Sequence, residues 1–229
     1  RRHTRYIGDW SSDVCSSDLP NFVCLVSRFG EVAHYSHQGF KNTESQDEIN
    51  NETIFRIYSM TKPITSVAIM MLYERGLIRL EHELYRYLPE FKNTEVWETG
   101  DINNFKTKPL NNPILIRDLL THTAGFTYDF MLGHPAIGLY RKNGLHDYKN
   151  IETKEEMDLE EFCNKLSTLP LLFEPGEKWH YSCSIDILGR VVEVVSGMKL
   201  DAFFRENILD RKSTRLNSSH RCISYAVFC

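Results

Sequence analysis

The sequence predicts an α+β domain, with strands and helices in separate blocks rather than alternating. Three observations carry this. Two runs rich in strand-forming residues, 22–27 and 32–40, flank a turn around Gly30 and read as a hairpin. Downstream, apolar residues recur at helical spacing, first as Ile64, Val67, Ala68, Met71 and Leu72. After the hairpin and a short strand, the expected elements are a block of helices, ending in a return helix.

The elements can be justified in order. Residues 42–53, NTESQDEINNET, are polar and read as a loop; residues 54–57 read as a short strand feeding the next helix. That helix starts within residues 59–62. Pro63 has no N–H to donate and its ring clashes with a preceding turn, so it belongs in a first turn. Gly76 falls where a left-handed residue ends a helix. Residues 77–91 form a short segment interrupted by Pro89, and residues 92–112, rich in Asn, Thr and Lys, read as loop. Residues 114–126, ILIRDLLTHTAGF, read as a helix capped near Gly125. A mixed stretch, 126–156, has a Gly-His-Pro break at 133–135. Helices are then expected at 158–171, 185–196 and 200–209, with FEPGEKWHYSCS (173–184) as a turn and extended approach to the second of them. About three strands make a thin sheet for so many helices, so further strands are expected beyond residue 210.

Composition is that of an ordinary globular protein, 229 residues with 41% hydrophobic and 25% charged. No apolar run reaches the length of a membrane span. The two ends differ from the middle. Residues 1–19, RRHTRYIGDWSSDVCSSDL, have no apolar periodicity, and residues 211–229, RKSTRLNSSHRCISYAVFC, are basic and Ser-rich. Both resemble translated adapter sequence and are set apart as non-native, which leaves one domain over 20–210. That middle holds 20 basic and 28 acidic residues with no basic stripe, so a nucleic-acid partner is not expected. Its cysteines, Cys24, Cys163 and Cys183, are odd in number and lack CxxC spacing, which indicates neither a disulfide framework nor a zinc site. His34 and His37, three apart in a strand, point to opposite faces and do not share a metal.

One stretch carries chemistry, Ser59-Met60-Thr61-Lys62 with Pro63 directly behind it. Residues three apart share a helix face, so the Lys62 amine reaches the Ser59 hydroxyl. The unpaired N–H groups and positive dipole end of the first turn lie beside the serine. A hydroxyl becomes a useful nucleophile when a neighbouring base takes its proton, and a desolvated lysine can serve. The same spacing recurs at Ser196-Gly197-Met198-Lys199, where Gly197 ends a helix and carbonyls rather than donors are exposed. An anionic intermediate would be repelled there, so position separates the two copies where spacing does not.

Four pieces in order, SMTK at 59–62, LLTHTAGF at 119–126, FEPGEKWHYS at 173–182 and DILGRVVEVVSG at 186–197, resemble the serine β-lactamase-like superfamily. That group includes class C β-lactamases, D-alanyl-D-alanine carboxypeptidases and family VIII carboxylesterases. The resemblance covers 20–210 and implies the β-lactamase/transpeptidase-like fold, an antiparallel sheet flanked by helices plus a helical region, with 20–210 as its N-terminal part. It implies Ser59 as acyl-enzyme nucleophile, Lys62 as proton acceptor and orienting cation, and Tyr181 as the second base, with no metal and no cofactor. The Ser59 N–H would be one oxyanion donor, and a strand past residue 210 would supply the other.

Two departures from the family pattern shape the expected activity. Its Tyr-x-Asn motif reads Tyr181-Ser182-Cys183 here, and a thiol is a much weaker hydrogen-bonding group than an amide. Its Lys-Thr-Gly motif, or a His/Trp equivalent on an edge strand, is not found; Lys106-Thr107-Lys108 falls in the expected loop and lacks the glycine. The expectation is cleavage of small-molecule acyl esters or related amides in preference to β-lactams. A β-lactamase or D-alanyl-D-alanine carboxypeptidase proper is one alternative, and a catalytically silent binding or regulatory module is another. His122 is expected to be structural, His180 to pack or line the cleft, and Glu155, Glu156, Glu160 and Glu161 to form a solvated face. Neither a His-Glu-x-x-His motif nor a Gly-x-Ser-x-Gly elbow occurs.

Overall fold

The computed structural model describes residues 21–42, 44–50, 52–145 and 157–209. The segments set apart at 1–19 and 211–229, and Glu155 and Glu156, lie outside the described residues. The chain divides into two compact units, Arg1–Phe55 and Arg56–Cys229.

In the first unit, β1 (Asn21–Arg28) pairs antiparallel with β2 (Glu31–Asn42), from Asn21 opposite Gly39 to Arg28 opposite Glu31. The connecting pair Phe29-Gly30 has φ of 53° and 83°. Two positive φ angles give the hairpin turn whose twist matches the flanking strands, so the expected hairpin forms around Gly30. A two-residue strand, β3 (Asp47–Glu48), adds to β2 inside the stretch expected to be loop, with Glu48 opposite Phe40. Residues 54–57 form no strand, contrary to expectation. Their apolar side chains favour extended backbone, but among the described residues no neighbouring strand offers a ladder.

The second unit begins with a single 3₁₀ turn, Tyr58–Met60, leading into α1 (Thr61–Glu74) with Pro63 in its first turn. The Arg75 N–H closes onto Met71 and Gly76 follows in the left-handed conformation, as expected. The buried stripe is Thr61, Thr65, Ala68, Ile69 and Leu72, rotated from the expected one so that Val67 is exposed. Residues 92–112 are a hairpin rather than a loop. Strand β4 (Glu95–Asp101) pairs antiparallel with β5 (Asn104–Pro109), Trp97 stacks on Phe105 at 4.8 Å, and the Asp101 carboxylate accepts the Asn103 and Asn104 N–H groups in the turn. Lys106, Thr107 and Lys108 therefore stand on a strand. The polar, solvent-facing residues of β5 concealed it.

Helix α2 (Ile116–Leu120) is far shorter than the 114–126 expected. It stops because His122 adopts φ 56° and Thr123 turns its N–H back to Asp118 O at 2.8 Å. After the break at 133–135 comes α3 (Ile137–Lys142). Asp158 caps α4 (Leu159–Ser167), accepting the Glu161 N–H at 2.9 Å. Then come α5 (Ser184–Ser196) and α6 (Leu200–Phe204); α6 widens into a π-type turn at Arg205–Leu209, so the helix expected over 200–209 is of two kinds. Helices α1, α2, α4 and α6 all pack on α5. Its Ile187, Leu188, Val191 and Val192 are wholly buried, and at Gly189 a Cβ would fall 2.9 Å from Leu200 Cδ2. Burying four such aliphatic side chains contributes on the order of 6–12 kcal/mol before chain entropy is charged against it. That core is the platform on which the start of α1 and the start of α5 meet.

Candidate active site

Three segments far apart in sequence converge at the N-terminal end of α1. Ser59 sits in the 3₁₀ turn, directly after Tyr58, whose φ of 45° is uncommon for a non-glycine residue and persists only where the surroundings impose it. The helical path brings Lys62 back toward the serine, and its Nζ donates to Ser59 Oγ at 3.3 Å. The Tyr181 hydroxyl lies 2.6 Å from Ser59 Oγ, across 122 residues of sequence. Ser59, Lys62 and Tyr181 are thus brought together.

The placement of Tyr181 has a local cause. The LLTHTAGF block and the FEPGEKWHYS block run alongside each other, joined by Leu172 N–H to Gly125 O at 2.8 Å, Gly176 N–H to Thr123 O at 2.9 Å and His180 N–H to His122 O at 2.8 Å. Gly125 has φ 89°, and a Cβ there would come within 2.4 Å of Phe173 O, so only glycine lets the blocks approach. The last of these bonds anchors the residue just before Tyr181.

Around the serine is a set of aromatic rings. Lys62 Nζ lies 5.0 Å from the Tyr181 ring centroid and 5.3 Å from that of Tyr128, two neighbouring rings whose own centroids are 5.5 Å apart, so both attract the ammonium from one side. The His122 ring packs 5.0 Å from the Tyr181 ring, and its Nδ1 faces Ser182 Oγ at 3.3 Å. Burial above all, helped by Lys62 and His180, pushes the His122 pKa down to about 4, so the imidazole is neutral at pH 7. His180 is tied to Thr127 Oγ1 at 2.8 Å. Exposed Trp179 flanks both His122 and Tyr181.

A polar layer lies beneath. The buried Tyr128 hydroxyl donates to Asp186 Oδ2 at 3.5 Å. Burial pushes the Asp186 carboxyl up to about 7, opposed by the Lys62 ammonium. Cys183 is wholly buried at the start of α5, and burial pushes its thiol well up, so it is a neutral, enclosed side chain rather than a surface group. Sequence reading assigned His122 to structure and passed over Tyr128 and Asp186. For Asp186 a signal existed: it is a carboxylate among Ile185, Ile187, Leu188, Val191 and Val192. Among the described residues no cluster of His, Cys, Asp and Glu suits a metal ion, and no helix is long and apolar enough to cross a membrane.

Comparison with known proteins gives the family and the fold. The chain is 35% identical to Esterase EstB of Burkholderia gladioli over 184 residues, which are 80% of this chain and 43% of the esterase. Among solved structures, EstCE1, described as a hydrolase with promiscuous acyltransferase activity, superposes with a TM-score of 0.70 at 31% identity over 90% of this chain and 50% of its own. Simvastatin synthase (LovD) from Aspergillus terreus does so with a TM-score of 0.66 at 25% identity, over 90% of this chain and 50% of its own. The chain spans about half the length of the relatives it matches, and its fold is the β-lactamase/transpeptidase-like one. A family model described as Beta-lactamase matches residues 14–220, and with that stretch and the 35% identity to the esterase the chain belongs to the serine β-lactamase-like superfamily.

Proposed function

We propose that this protein is a serine hydrolase that cleaves small-molecule acyl esters, or related amides, through an acyl-Ser59 intermediate. The observation that carries the reading is the 2.6 Å contact between Ser59 Oγ and the Tyr181 hydroxyl, with Lys62 Nζ at 3.3 Å from the same oxygen. In the reaction Ser59 Oγ attacks the acyl carbonyl while its proton passes to the nearer Tyr181 oxygen, starting as phenolate beside the Lys62 ammonium, or to Lys62 Nζ, starting as an uncharged amine beside the Tyr181 phenol. That proton then goes to the departing alcohol. Water attacks the acyl-serine ester in the second half, giving its proton to the same acceptor, which passes it to Ser59 Oγ as that oxygen leaves and the acid is released. Where Tyr181 is the acceptor, the Lys62 ammonium and the positive end of the α1 dipole favour the negative charge that develops in both halves.

Supporting the acyl class are the esterase and the hydrolase with promiscuous acyltransferase activity named above, which share this fold and about a third of this chain's residues where they align. An alcohol in place of water in the second half would make the same intermediate serve acyl transfer. Esters are favoured over β-lactams because Cys183 is buried and offers no amide to a substrate.

The test is covalent. A fluorophosphonate probe is expected to label purified protein at Ser59, with peptide mass spectrometry locating the adduct and p-nitrophenyl acetate reporting turnover. Labelling that persists in Ser59→Ala, or none on folded wild type, would sink the proposal and leave the silent binding module as the better reading.

A further inference from the structure

We infer that Asp186 is a positioning residue for Lys62: through the Tyr128 hydroxyl, its carboxylate stations the ammonium beside Ser59. The inference rests on the acyl-serine reading above.

Asp186 stands in the first turn of α5, on a face otherwise given to aliphatic side chains, and it is buried. Burying a carboxylate is costly unless it is paired and hydrogen-bonded. Here the compensation is partial. The helix N-terminus favours negative charge, and the Tyr128 hydroxyl donates at 3.5 Å, long for such a bond. The site therefore keeps a carboxyl that is expensive to ionise, and groups of this kind concentrate where function needs them.

Geometry connects the carboxyl to the serine. Tyr128 has its hydroxyl on Asp186 and its ring against Lys62 Nζ, with the Tyr181 ring beside it against the same ammonium. A phenol donating to a carboxylate has a more electron-rich ring, which strengthens the hold of that ring on a cation. The carboxylate thus acts on Lys62 twice, by direct attraction and through the ring.

The other ionisable groups on α5 and on the helices packed against it do not compete for Asp186. Cys163 of α4 and Cys183 at the start of α5 are both pushed well up by burial and stay neutral. On α5 itself Glu193 is paired with Arg190, on α2 the buried Asp118 accepts the Leu115 N–H, and on α6 Asp201 is paired with Arg205. Lys62 is the charge from α1 that acts on Asp186.

Asp186→Asn keeps the size and an acceptor for Tyr128 while removing the charge. With p-nitrophenyl acetate at pH 8, kcat should fall about 10-fold with KM little changed, and the acid limb near pH 7 of the wild-type profile should vanish. The Tm at pH 8 should rise in the same variant, and that rise should disappear below pH 4. A residue that merely packs would give a lower Tm and an unaltered limb. Tyr128→Phe, which keeps the ring and removes the hydroxyl, should lose activity in the same direction as Asp186→Asn. Full activity and an unchanged pH profile in Asp186→Asn would overturn the inference while Ser59 still labels. No labelling of wild type at Ser59 would overturn the acyl-serine reading and this inference together.

Discussion

The chain contains the Ser-x-x-Lys spacing twice, and the two copies show what spacing alone leaves undecided. At Ser59 the pattern opens a helix: Lys62 Nζ reaches the serine oxygen at 3.3 Å and Tyr181 meets it at 2.6 Å. At Ser196 it closes one. Ser196 Oγ donates back to Val192 O at 2.6 Å, Gly197 follows with φ 71°, and Lys199 turns away to Asp158 at 3.6 Å. The second hydroxyl is spent on a helix carbonyl, and its lysine on an exposed carboxylate. A helix start offers donors and a helix end offers carbonyls, so the same four-residue spacing supports an anion in one place and opposes it in the other.

The comparison breaks most visibly in activity. Ser59→Ala should lower ester turnover by on the order of 10⁴, since it removes the attacking atom, whereas Ser196→Ala should leave turnover within about 2-fold. Lys62→Ala and Tyr181→Phe should each cost roughly 10²–10⁴ in kcat, with Lys199→Ala indistinguishable from wild type. Steady-state kinetics on active-site-titrated protein decides it. A comparable loss in Ser196→Ala or Lys199→Ala would mean that the second copy takes part, and most of the activity surviving in Tyr181→Phe would leave Lys62 as the only proton acceptor.

How far the sequence was legible follows the range of the forces involved. Local signals were read well: Pro63 and Gly76 bound α1, and Gly30 turns the first hairpin. Family resemblance supplied Tyr181, which no local pattern ties to Ser59. What failed was decided by partners. Strand β5 reads as loop because its Asn and Lys residues face water, and its identity comes from pairing with β4. Helix α2 ends early because His122 enters the left-handed region where three main-chain bonds stitch its loop to the approach to Tyr181. Asp186 was visible as an interruption of an apolar face, but its link to Lys62 needs the Tyr128 ring, 58 residues away in sequence.

Titration sharpens the contrast next, because the first copy is ringed by shifted groups. His122 is held near 4, below its unfolded value of 6.5, so its contribution to stability is present above pH 6.5 and is lost as pH falls toward 4. Asp186 is held near 7, above its unfolded value of 3.8, so its contribution is fully present below pH 3.8 and is lost as pH rises through 7. The two slopes oppose each other over nearly the same window, each of at most a few kcal/mol, which leaves wild type flatter than either group alone would make it. Near the second copy, Asp158 is held low by the Glu161 N–H, a shift opposite in direction to that of Asp186. His122→Asn should therefore gain stability on acidification from pH 7.5 to 4.5, and Asp186→Asn should lose it, by about 2 kcal/mol each in urea unfolding. Parallel behaviour of the two variants would contradict this picture of the site.

The smallest expected effect lies at the second copy itself. Gly197 has φ 71° and nothing within 4 Å of where a Cβ would stand, so Gly197→Ala meets no clash. It meets only the conformational cost of placing an L-residue in the left-handed region, about 1 kcal/mol. Tyr58 already carries a similar cost at φ 45°, directly before the serine of the first copy. The same kind of strain thus precedes Ser59 in one copy and is avoided by glycine in the other. If the second copy is only a helix terminus, Gly197→Ala should lower stability by that amount in urea unfolding and leave the rate of Ser59 labelling untouched. A loss of several kcal/mol, or a slower labelling rate in protein that remains folded, would mean that the end of α5 does more than cap a helix.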